Sequence, residues 1–362
     1  MKICFVLGTR PEIIKLSPLI SCFKNNNIKT CIIHTGQHKL FSMEKVFFQD
    51  FKIKPNYVLK NKQNFVANTI NDLCKIYLKE MPNYIINQGD TNTVLASSLA
   101  HNILKNTKLK NTKLVHVEAG LRSFDKSMPE EMNRIISDQL SDFLFAPTKI
   151  SKRNLYQENI NHKKIYVVGN TISDALNLSK KKIGDAILKK LHIKKKSYFL
   201  LTLHRPDLVD KKKNLTKIIK HFSKLSKIYN LDVIFPIHPR TYEKMKKFDL
   251  LKLNKIKFID PCNYFDFLSL QKNAKIVLTD SGGIQEETTI LKTPCITIRK
   301  NTERPETIKA KTNILTNYSL NKINNAIQKS LNKKILWKNL YGKNVSNKIF
   351  KIIKKDYEKN KK

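Results

Sequence analysis

Three carboxylates lie at predicted strand ends in the first half of the sequence. Asp90 follows the apolar run 84–87, Glu118 follows the run 114–117, and Glu130 begins a predicted helix after a short loop. Because parallel strands bring their carboxyl ends to one edge of a sheet, we expect the three side chains to face one cleft. Like charges that share a site push their pKa values apart, which creates acid and base roles. The pattern therefore predicts proton transfer.

Each carboxylate also has a structural explanation. Asp90 stands where a predicted helix begins, so its default role is that of a helix N-cap. Glu118 closes a buried strand, and Arg122 is the candidate ion-pair partner that would explain its position. Glutamates in a first helical turn, such as Glu130, are common because the helix dipole favours them. For Asp90 the structural and the catalytic readings are equally supported by the residues.

Basic residues accompany other predicted strand ends. Arg10 and Lys15 follow the first strand, where a helix N-terminus offers free N–H groups to an anion. In the second half, His204 and His238 each end a predicted strand close to an arginine. Arginine binds phosphate through paired hydrogen bonds, so this arrangement indicates phosphate recognition.

The strongest local motif is the turn Ser281-Gly282-Gly283, which begins a predicted helix. Glycines leave the backbone N–H groups of such a turn accessible, and this makes a cradle for phosphate. One turn further on, Glu286 or Glu287 would accept hydrogen bonds from ribose hydroxyls. The second half is therefore predicted to hold a nucleotide.

Short apolar runs alternate with amphipathic stretches along the whole chain, and these elements must position the polar residues. Bare runs rich in Ile and Val predict parallel strands covered on both faces. We therefore predict the α/β class, with two Rossmann-like doubly wound domains and the active site in the interdomain cleft. The predicted domains cover residues 1–172 and 173–344, and residues 345–362 form a final helix.

Composition limits the classes of partner. The chain has 362 residues and a net charge of +40, but only eight of its 69 basic residues are Arg. Lys, Asn and Ile are all heavily used, which is typical of an AT-rich coding sequence, so we interpret the charge as a solvated Lys surface. We expect no nucleic-acid partner and no membrane insertion. The six Cys are scattered without a CxxC pair, which favours reduced thiols in the cytoplasm and no metal site.

The motifs in order resemble the UDP-N-acetylglucosamine 2-epimerase family over roughly residues 1–340. The matching segments are GTRPEIIKLSP, QGDTNT, HVEAGLRS, PEEMNR, FAPT, VGNTISDA, HR, PIHPR, DSGGIQEE and TERPE. The resemblance implies the GT-B architecture, with the sugar on the first domain, UDP on the second, and the final helix packed back on the first. It also implies a homodimer, no cofactor, and a role in making cell-surface polysaccharide precursors.

The activity implied by the resemblance is reversible inversion at C2 of a UDP-sugar, UDP-GlcNAc to UDP-ManNAc, by elimination of UDP to 2-acetamidoglucal and re-addition. Stabilising charge on the departing phosphate should lower the barrier most. The matching residues are Asp90, Glu118 and Glu130 for proton transfer and for stabilising the cationic sugar, His204 beside the diphosphate, Arg10, Lys15 and Arg134 for charge stabilisation, Ser281, Gly282 and Gly283 for phosphate, Glu287 for ribose, His238 for the nucleotide and Phe267 beside uracil.

Departures from the family pattern leave alternatives. Gly89-Asp90-Thr91 differs from the Gly-Asp-Arg of the hydrolysing branch, which releases N-acetylmannosamine, so the non-hydrolysing branch is favoured. Pro206-Asp207 replaces the usual Glu-Asn after HR, which keeps UDP-2,3-diacetamido-2,3-dideoxyglucuronate open as the substrate. The segment QHKLF at 37–41 differs from the Gln-His-Arg-Glu-Met that helps many bacterial members bind an activating UDP-GlcNAc.

Two other classes compete with an epimerase. A GT-B glycosyltransferase would share the fold, but it would not need three strand-end carboxylates in its acceptor domain. A nucleic-acid or membrane-surface binder would use the charge, but it predicts aromatic residues interleaved with basic ones on one face. The Lys residues are instead spread over the whole sequence.

Overall fold

The chain divides into two compact units. The first unit comprises Met1–Leu178 and Tyr341–Lys362, and the second comprises Ser179–Leu340. The structure, a computed structural model, describes residues 1–37, 41–61, 63–251, 255–332 and 334–360, and of residues 41–45 only the backbone. The segment 37–41, which departs from the family's activator-binding pattern, therefore lies largely outside the described residues.

The first unit contains seven strands among its described residues, all pairing in parallel. The strands are β1 Lys2–Leu7, β2 Lys29–His34, β3 Tyr57–Val58, β4 Tyr84–Gln88, β5 Lys113–Val117, β6 Phe143–Ala146 and β7 Ile165–Val167. The helices are α1 Arg10–Asn25, α2 Phe41–Asp50, α3 Phe65–Glu80, α4 Asn92–Lys105, α5 Pro129–Leu140, α6 Lys149–Gln157 and α7 Ile172–Ser179.

The second unit contains six strands among its described residues, again all parallel. The strands are β8 Tyr198–Thr202, β9 Asp232–Pro236, β10 Ile256–Ile259, β11 Ile276–Thr279, β12 Cys295–Thr297 and β13 Asn313–Leu315. The helices are α8 Ala186–Lys190, α9 Pro206–Val209, α10 Lys212–Tyr229, α11 Pro239–Lys247, α12 Tyr264–Asn273, α13 Gly282–Leu291, α14 Pro305–Lys309 and α15 Leu320–Leu331; the final helix of the chain is α16 Val345–Lys359.

Both sheets are doubly wound. The strand order is β3-β2-β1-β4-β5-β6-β7 in the first unit and β10-β9-β8-β11-β12-β13 in the second. Central strands such as β1 and β8 are almost wholly buried, because helices cover both faces of a parallel sheet. The predicted α/β class with two Rossmann-like halves is confirmed.

In each sheet, the direction in which successive strands are added reverses beside the strand that comes first in the sequence. This switch lies between β1 and β4 in the first unit and between β8 and β11 in the second. At such a point the loops after the two central strands diverge to opposite faces, and they leave a crevice at the carboxyl edge. Apart from Phe267, which follows the edge strand β10, the predicted site residues follow the strands of the two switch points or the strands beside them.

The final helix α16 belongs to the first unit. Phe350 packs edge-on against Phe23 of α1, with 5.2 Å between ring centroids. Near its end, Asp356 accepts hydrogen bonds from Tyr84 at 2.5 Å and from Lys113 at 2.6 Å. The apolar and the charged contacts both attach this helix to the sheet of the first unit. The units divide at residue 178, after the predicted limit of 172, because α7 continues the first unit across that limit.

No helix in the described part of the chain combines the length and the apolar character needed to cross a membrane. All six Cys are free thiols.

Candidate active site

Glu12 links the turn after β1 to the turn after β4. Its carboxylate is buried and accepts the Gly8 N–H at 2.8 Å and the Thr9 hydroxyl at 2.9 Å. The other oxygen accepts the Thr91 hydroxyl at 2.7 Å. Burial raises the pKa of Glu12 to about 7, and the hydrogen bonds oppose this rise only in part. Glu12 therefore joins the two loops that border the switch point of the first sheet.

Glu118 is held in place by three donors at the carboxyl end of β5. Its Oε2 accepts hydrogen bonds from the Lys15 ammonium at 2.5 Å, the Gln88 amide at 3.0 Å and the Asn170 amide at 3.2 Å. The side chains of Lys15 and Glu118 are only 6% and 4% exposed. Glu118 also has a φ of +72°, a left-handed conformation that is uncommon outside glycine. These contacts fix a charged carboxylate in a desolvated position at the edge of the sheet.

Arg122 is not the partner of Glu118, so the ion pair considered from the sequence is wrong. Its guanidinium instead binds Asp138 at 2.7 Å and Glu158 at 2.6 Å. The reason is the left-handed turn at Glu118, after which the chain runs toward α5 and α6. Lys15, and not Arg122, is therefore the counter-ion of Glu118.

Asp90 lies in the turn between β4 and α4, where it pairs with Arg134 of α5. The same guanidinium binds Glu131 at 2.7 Å, and Asn133 donates to the Asp90 carbonyl at 3.0 Å. Asp90 is not the helix N-cap: Thr91 occupies that position and accepts from the N–H of Val94. The carboxylate of Asp90 is therefore available for an ionic role, and Arg134 sets its orientation.

Glu130 and Glu131 begin α5 but have different surroundings. Glu131 is buried and accepts the backbone N–H groups of Ser123 and Phe124 at 3.0 Å and 2.8 Å. Glu130 is partly exposed, and it makes no ion pair with any residue that the structure describes. Glu131 therefore shapes the loop before α5, and Glu130 is the carboxylate of this pair that a ligand can reach.

In the second unit, His204 is oriented by Asp280. The Asp280 carboxylate is fully buried and lies 3.0 Å from Nδ1 of His204, and it accepts the N–H groups of His204 and Arg205 at 2.8 Å. Burial alone would raise the pKa of Asp280, but His204 and the two N–H donors hold it below its usual value. The imidazole is 38% exposed, so Nε2 remains for a ligand.

The turn at residues 281–283 has the geometry of an anion cradle. Ser281 is the N-cap of α13 without a side-chain capping bond, and its N–H donates to the Thr279 hydroxyl at 3.0 Å. A Cβ on Gly282 would lie 2.3 Å from Oε1 of Glu303, whereas one on Gly283 would meet no described atom within 4 Å. The backbone at Gly283 is therefore open to a ligand at a helix N-terminus.

The two glutamates of α13 are not equivalent. Glu286 is fully buried and pairs with Arg304. Glu287 is 8% exposed and accepts from the Gln271 amide at 2.6 Å. Of the two ribose candidates considered from the sequence, Glu286 is committed to a buried ion pair, so Glu287 is the better candidate.

Three other residues that the sequence predicts to bind substrate are His238, Phe267 and Arg10. His238 is the N-cap of α11, is exposed, and has its ring centroid 6.0 Å from that of His204. Phe267 is half-buried and packs against the apolar cluster below the second sheet. Arg10 is exposed in the first unit, with its guanidinium carbon 5.3 Å from the centroid of the Phe47 ring.

Several polar residues of the site were not assigned from the sequence. Gln88 and Asn170 hold Glu118, Asp280 orients His204, and Glu12 joins two loops. Each was visible only as a polar residue beside a strand-end glycine or in a first helical turn. The signal that they share in the sequence is a polar side chain at the end of an apolar strand or within five residues after it.

No group of three or more His, Cys, Asp and Glu side chains in the described ranges is arranged to hold a metal ion. Lys15 and Arg134 are basic side chains that pair with carboxylates of the first unit, and His204 lies beside the Asp280 carboxylate in the second.

Known proteins match this chain over nearly its whole length. A family model described as UDP-N-acetylglucosamine 2-epimerase matches residues 21–354. A Methanocaldococcus jannaschii protein named UDP-N-acetylglucosamine 2-epimerase is 46% identical over 355 residues, which cover 94% of this chain and 95% of the relative. A Pseudomonas aeruginosa UDP-2,3-diacetamido-2,3-dideoxy-D-glucuronate 2-epimerase is 34% identical over 344 residues, 92% of this chain and 94% of the relative.

Solved structures agree with these matches. The crystal structure of Methanocaldococcus jannaschii UDP-GlcNAc 2-epimerase in complex with UDP-GlcNAc and UDP has a TM-score of 0.89 and 44% identity, and the match covers 98% of this chain and 99% of that chain. The resemblance inferred from the motifs is confirmed. The chain therefore belongs to the UDP-N-acetylglucosamine 2-epimerase family and is an isomerase.

Proposed function

We propose that this protein is a non-hydrolysing epimerase that converts UDP-GlcNAc reversibly into UDP-ManNAc. The observation that carries the proposal is the Lys15–Glu118 pair, which lies at the edge of the sheet next to the Asp90 turn. Support also comes from the relatives named for this activity and from the neighbour solved with UDP-GlcNAc and UDP. We further propose Asp90, Glu118, Glu130 and His204 as the catalytic residues.

The first step is elimination of UDP. The C2 proton of the sugar is not acidic, because no carbonyl neighbours it, so its removal must be coupled to loss of the leaving group. A carboxylate takes the C2 proton, the electron pair of the C2–H bond forms the C1=C2 double bond, and the C1–O bond breaks with its electron pair leaving on UDP. The product is 2-acetamidoglucal. The three proposed carboxylates, Asp90, Glu118 and Glu130, supply the base and also stabilise positive charge on the sugar ring.

The second step is re-addition with inversion at C2. A β-phosphate oxygen of UDP forms the C1–O bond again, and an acid protonates C2 from the opposite face. A base on one face and an acid on the other require two groups in different protonation states. Glu118 at the end of β5 and Glu130 in the first turn of α5 come from different elements and have different surroundings, so they are our candidates for the two groups.

Charge develops on the diphosphate as the C1–O bond breaks, so the groups that receive it should matter most. In the second unit we assign this role to Nε2 of His204 and to the N–H groups of the α13 turn, because Asp280 orients the first and the glycines expose the second. The further substrate-binding residues that we propose are Arg10, Lys15, Arg134, His238, Phe267, Ser281, Gly282, Gly283 and Glu287.

The test is incubation with UDP-GlcNAc in D₂O followed by NMR. The proposal predicts UDP-ManNAc that carries deuterium at C2, because the proton removed exchanges before re-addition. Intact product without deuterium would overturn the elimination mechanism. Glu118→Gln should lower kcat by about 10²-fold or more, whereas Glu80→Gln, in a surface pair with Lys2, should stay within about two-fold.

The same assay separates the two alternative activities. Release of free N-acetylmannosamine and UDP would identify a hydrolysing enzyme. Turnover of UDP-2,3-diacetamido-2,3-dideoxyglucuronate without turnover of UDP-GlcNAc would identify the other substrate, for which the 34% identical relative is named. We favour UDP-GlcNAc because relatives named for it reach 46% identity.

We also propose that the protein is a cytoplasmic homodimer. The support is the family resemblance, together with six free thiols. Light scattering on the eluting protein should give twice the chain mass of 42.1 kDa, and a value of 42.1 kDa would contradict the dimer.

A further inference from the structure

His116 connects the Asp90 turn to a buried network of charges. It lies on β5, two residues before Glu118, and its side chain is fully buried. Its Nε2 is 2.8 Å from the carbonyl oxygen of Gly89, and its Nδ1 is 2.7 Å from the carboxylate of Asp138 on α5. The ring therefore spans from the backbone that precedes Asp90 to a carboxylate on the next helix.

Both ring nitrogens of His116 must donate. A carbonyl oxygen only accepts hydrogen bonds, so Nε2 carries a proton. Asp138 also accepts the Gly120 N–H at 3.1 Å and the Arg122 guanidinium at 2.7 Å, which fits an ionised carboxylate and places a second proton on Nδ1. Burial would raise the pKa of Asp138, but His116 and Arg122 hold it below its usual value. In this hydrogen-bond pattern Nε2 donates to the Gly89 carbonyl and Nδ1 donates to the Asp138 carboxylate.

The Gly89 turn is fixed by two neighbouring hydrogen bonds from β5. The Gly89 N–H donates to the Val117 carbonyl at 3.1 Å, and the Gly89 carbonyl accepts from His116. Gly89 has a φ of +86°, a conformation that glycine adopts without steric strain. Because glycine has no side chain, it does not restrict rotation of the backbone at this position. These two bonds hold the peptide before Asp90, while Asn133 and Arg134 hold the carbonyl and the side chain of Asp90 itself.

We propose that His116 is a positioning residue, a buried imidazolium that Asp138 keeps charged and that holds the Gly89 carbonyl so that Asp90 meets the sugar in the reactive geometry. The inference rests on the proposed function for the role of Asp90. The protonation of the His116 ring and its hydrogen bond to Gly89 do not depend on whether Asp90 is catalytic. Breaking the bond to Gly89 should therefore act on the chemical step, because small displacements of a catalytic group reduce its rate strongly.

Two amide substitutions separate the two hydrogen bonds. The side-chain nitrogen of asparagine overlays Nδ1, so His116→Asn keeps a donor for Asp138 and loses the bond to Gly89. Glutamine reaches the position of Nε2, so His116→Gln keeps a donor for Gly89 and loses the bond to Asp138. Each variant removes one bond and one buried charge, so the two are matched controls for stability.

Steady-state kinetics with UDP-GlcNAc test the proposal. We expect kcat of His116→Asn to fall about ten-fold or more with KM within about two-fold, and His116→Gln to recover most of kcat at a similar melting temperature. Equal losses in both variants, in proportion to the loss of melting temperature, would show a merely structural residue. Unchanged kcat in His116→Asn would also overturn the proposal.

The charge of the ring is tested without turnover. In protein labelled with ¹⁵N-histidine, the signal that disappears in His116→Gln should show two protonated ring nitrogens at neutral pH; a neutral ring would overturn the inference. Asp90→Asn, which should abolish turnover, reports on the proposed function separately. If the wild-type protein does not turn over UDP-GlcNAc, the proposed function fails while the spectrum still decides the state of His116.

Discussion

At the scale of single residues, the Lys15–Glu118 pair combines structural and chemical roles. Both side chains are almost fully buried, and the Lys15 ammonium lies 2.5 Å from Oε2 of Glu118. Separating such a pair leaves one buried charge without compensation, which is strongly destabilising. The same charge pair on the surface contributes little.

We therefore expect Lys15→Met to lower the free energy of unfolding by about 3–5 kcal/mol and to abolish most activity. Lys2→Met, which removes a more exposed pair with Glu80, should cost at most about 1 kcal/mol. Urea denaturation of the two variants and the wild type measures the difference. A double variant with Glu118→Gln should recover part of the stability but no activity, and a fully stable Lys15→Met protein would contradict the buried pair.

Glu12 predicts a pH dependence of stability. Burial raises its pKa to about 7 in the folded state from the ordinary value of 4.5. The folded protein therefore binds more protons than the unfolded chain between these values, so the stability that Glu12 contributes is complete below pH 4.5 and is lost as pH rises through about 7. The loss corresponds to about 3 kcal/mol.

Glu12→Gln should remove this dependence, because an amide does not titrate. Melting temperatures of the variant and the wild type between pH 5 and pH 8 should diverge in favour of the variant as pH rises. The other titratable groups are present in both proteins, so their contributions cancel when the two melting temperatures are subtracted. A difference that stays constant with pH would show that Glu12 is ionised in the folded protein throughout.

At the scale of elements, the N-terminus of α13 is the clearest ligand site in the second unit. A Cβ at Gly283 has space in the protein itself, and alanine favours helices over glycine by about 1 kcal/mol. Gly283→Ala should therefore keep or raise the melting temperature. It should nevertheless weaken UDP binding about ten-fold or more, since the methyl group occupies the approach to the N–H groups.

Gly184→Ala is the matched control, because a Cβ there also meets no described atom within 4 Å and Gly184 lies in no predicted binding segment. Calorimetric titration with UDP should give wild-type affinity for Gly184→Ala. Wild-type affinity in Gly283→Ala as well would remove the α13 turn from the phosphate site.

At the scale of the whole molecule, the net charge of +40 is spread mainly over Lys residues on both units. We expect only weak binding to nucleic acid, because the exposed aromatic side chains among the described residues are only Phe124, Tyr156 and Tyr242. Filter binding of single-stranded RNA at physiological salt should show no saturation at micromolar protein. Tight binding that falls steeply with salt would instead show that the charge serves a polyanion.

The sequence by itself determined the class of fold, the alternation of strands and helices, and the family, but it did not predict the short strands β3 and β13. Alternation of apolar runs with amphipathic helices depends on local periodicity, and strand-end motifs depend on residue types at short spacing. Asp90, Glu118, Lys15 and His204 could be selected on that basis. Their roles in catalysis stay predictions.

Only the tertiary structure decided which charged groups are partners. Glu118 pairs with Lys15, more than a hundred residues earlier in the chain, and not with the nearby Arg122. The adjacency of β4 to both β1 and β5 brings such groups together, and the left-handed turn at Glu118 directs Arg122 toward Asp138. Spacing along a chain carries no information on contacts made through strand order, because those are set by how the whole sheet packs.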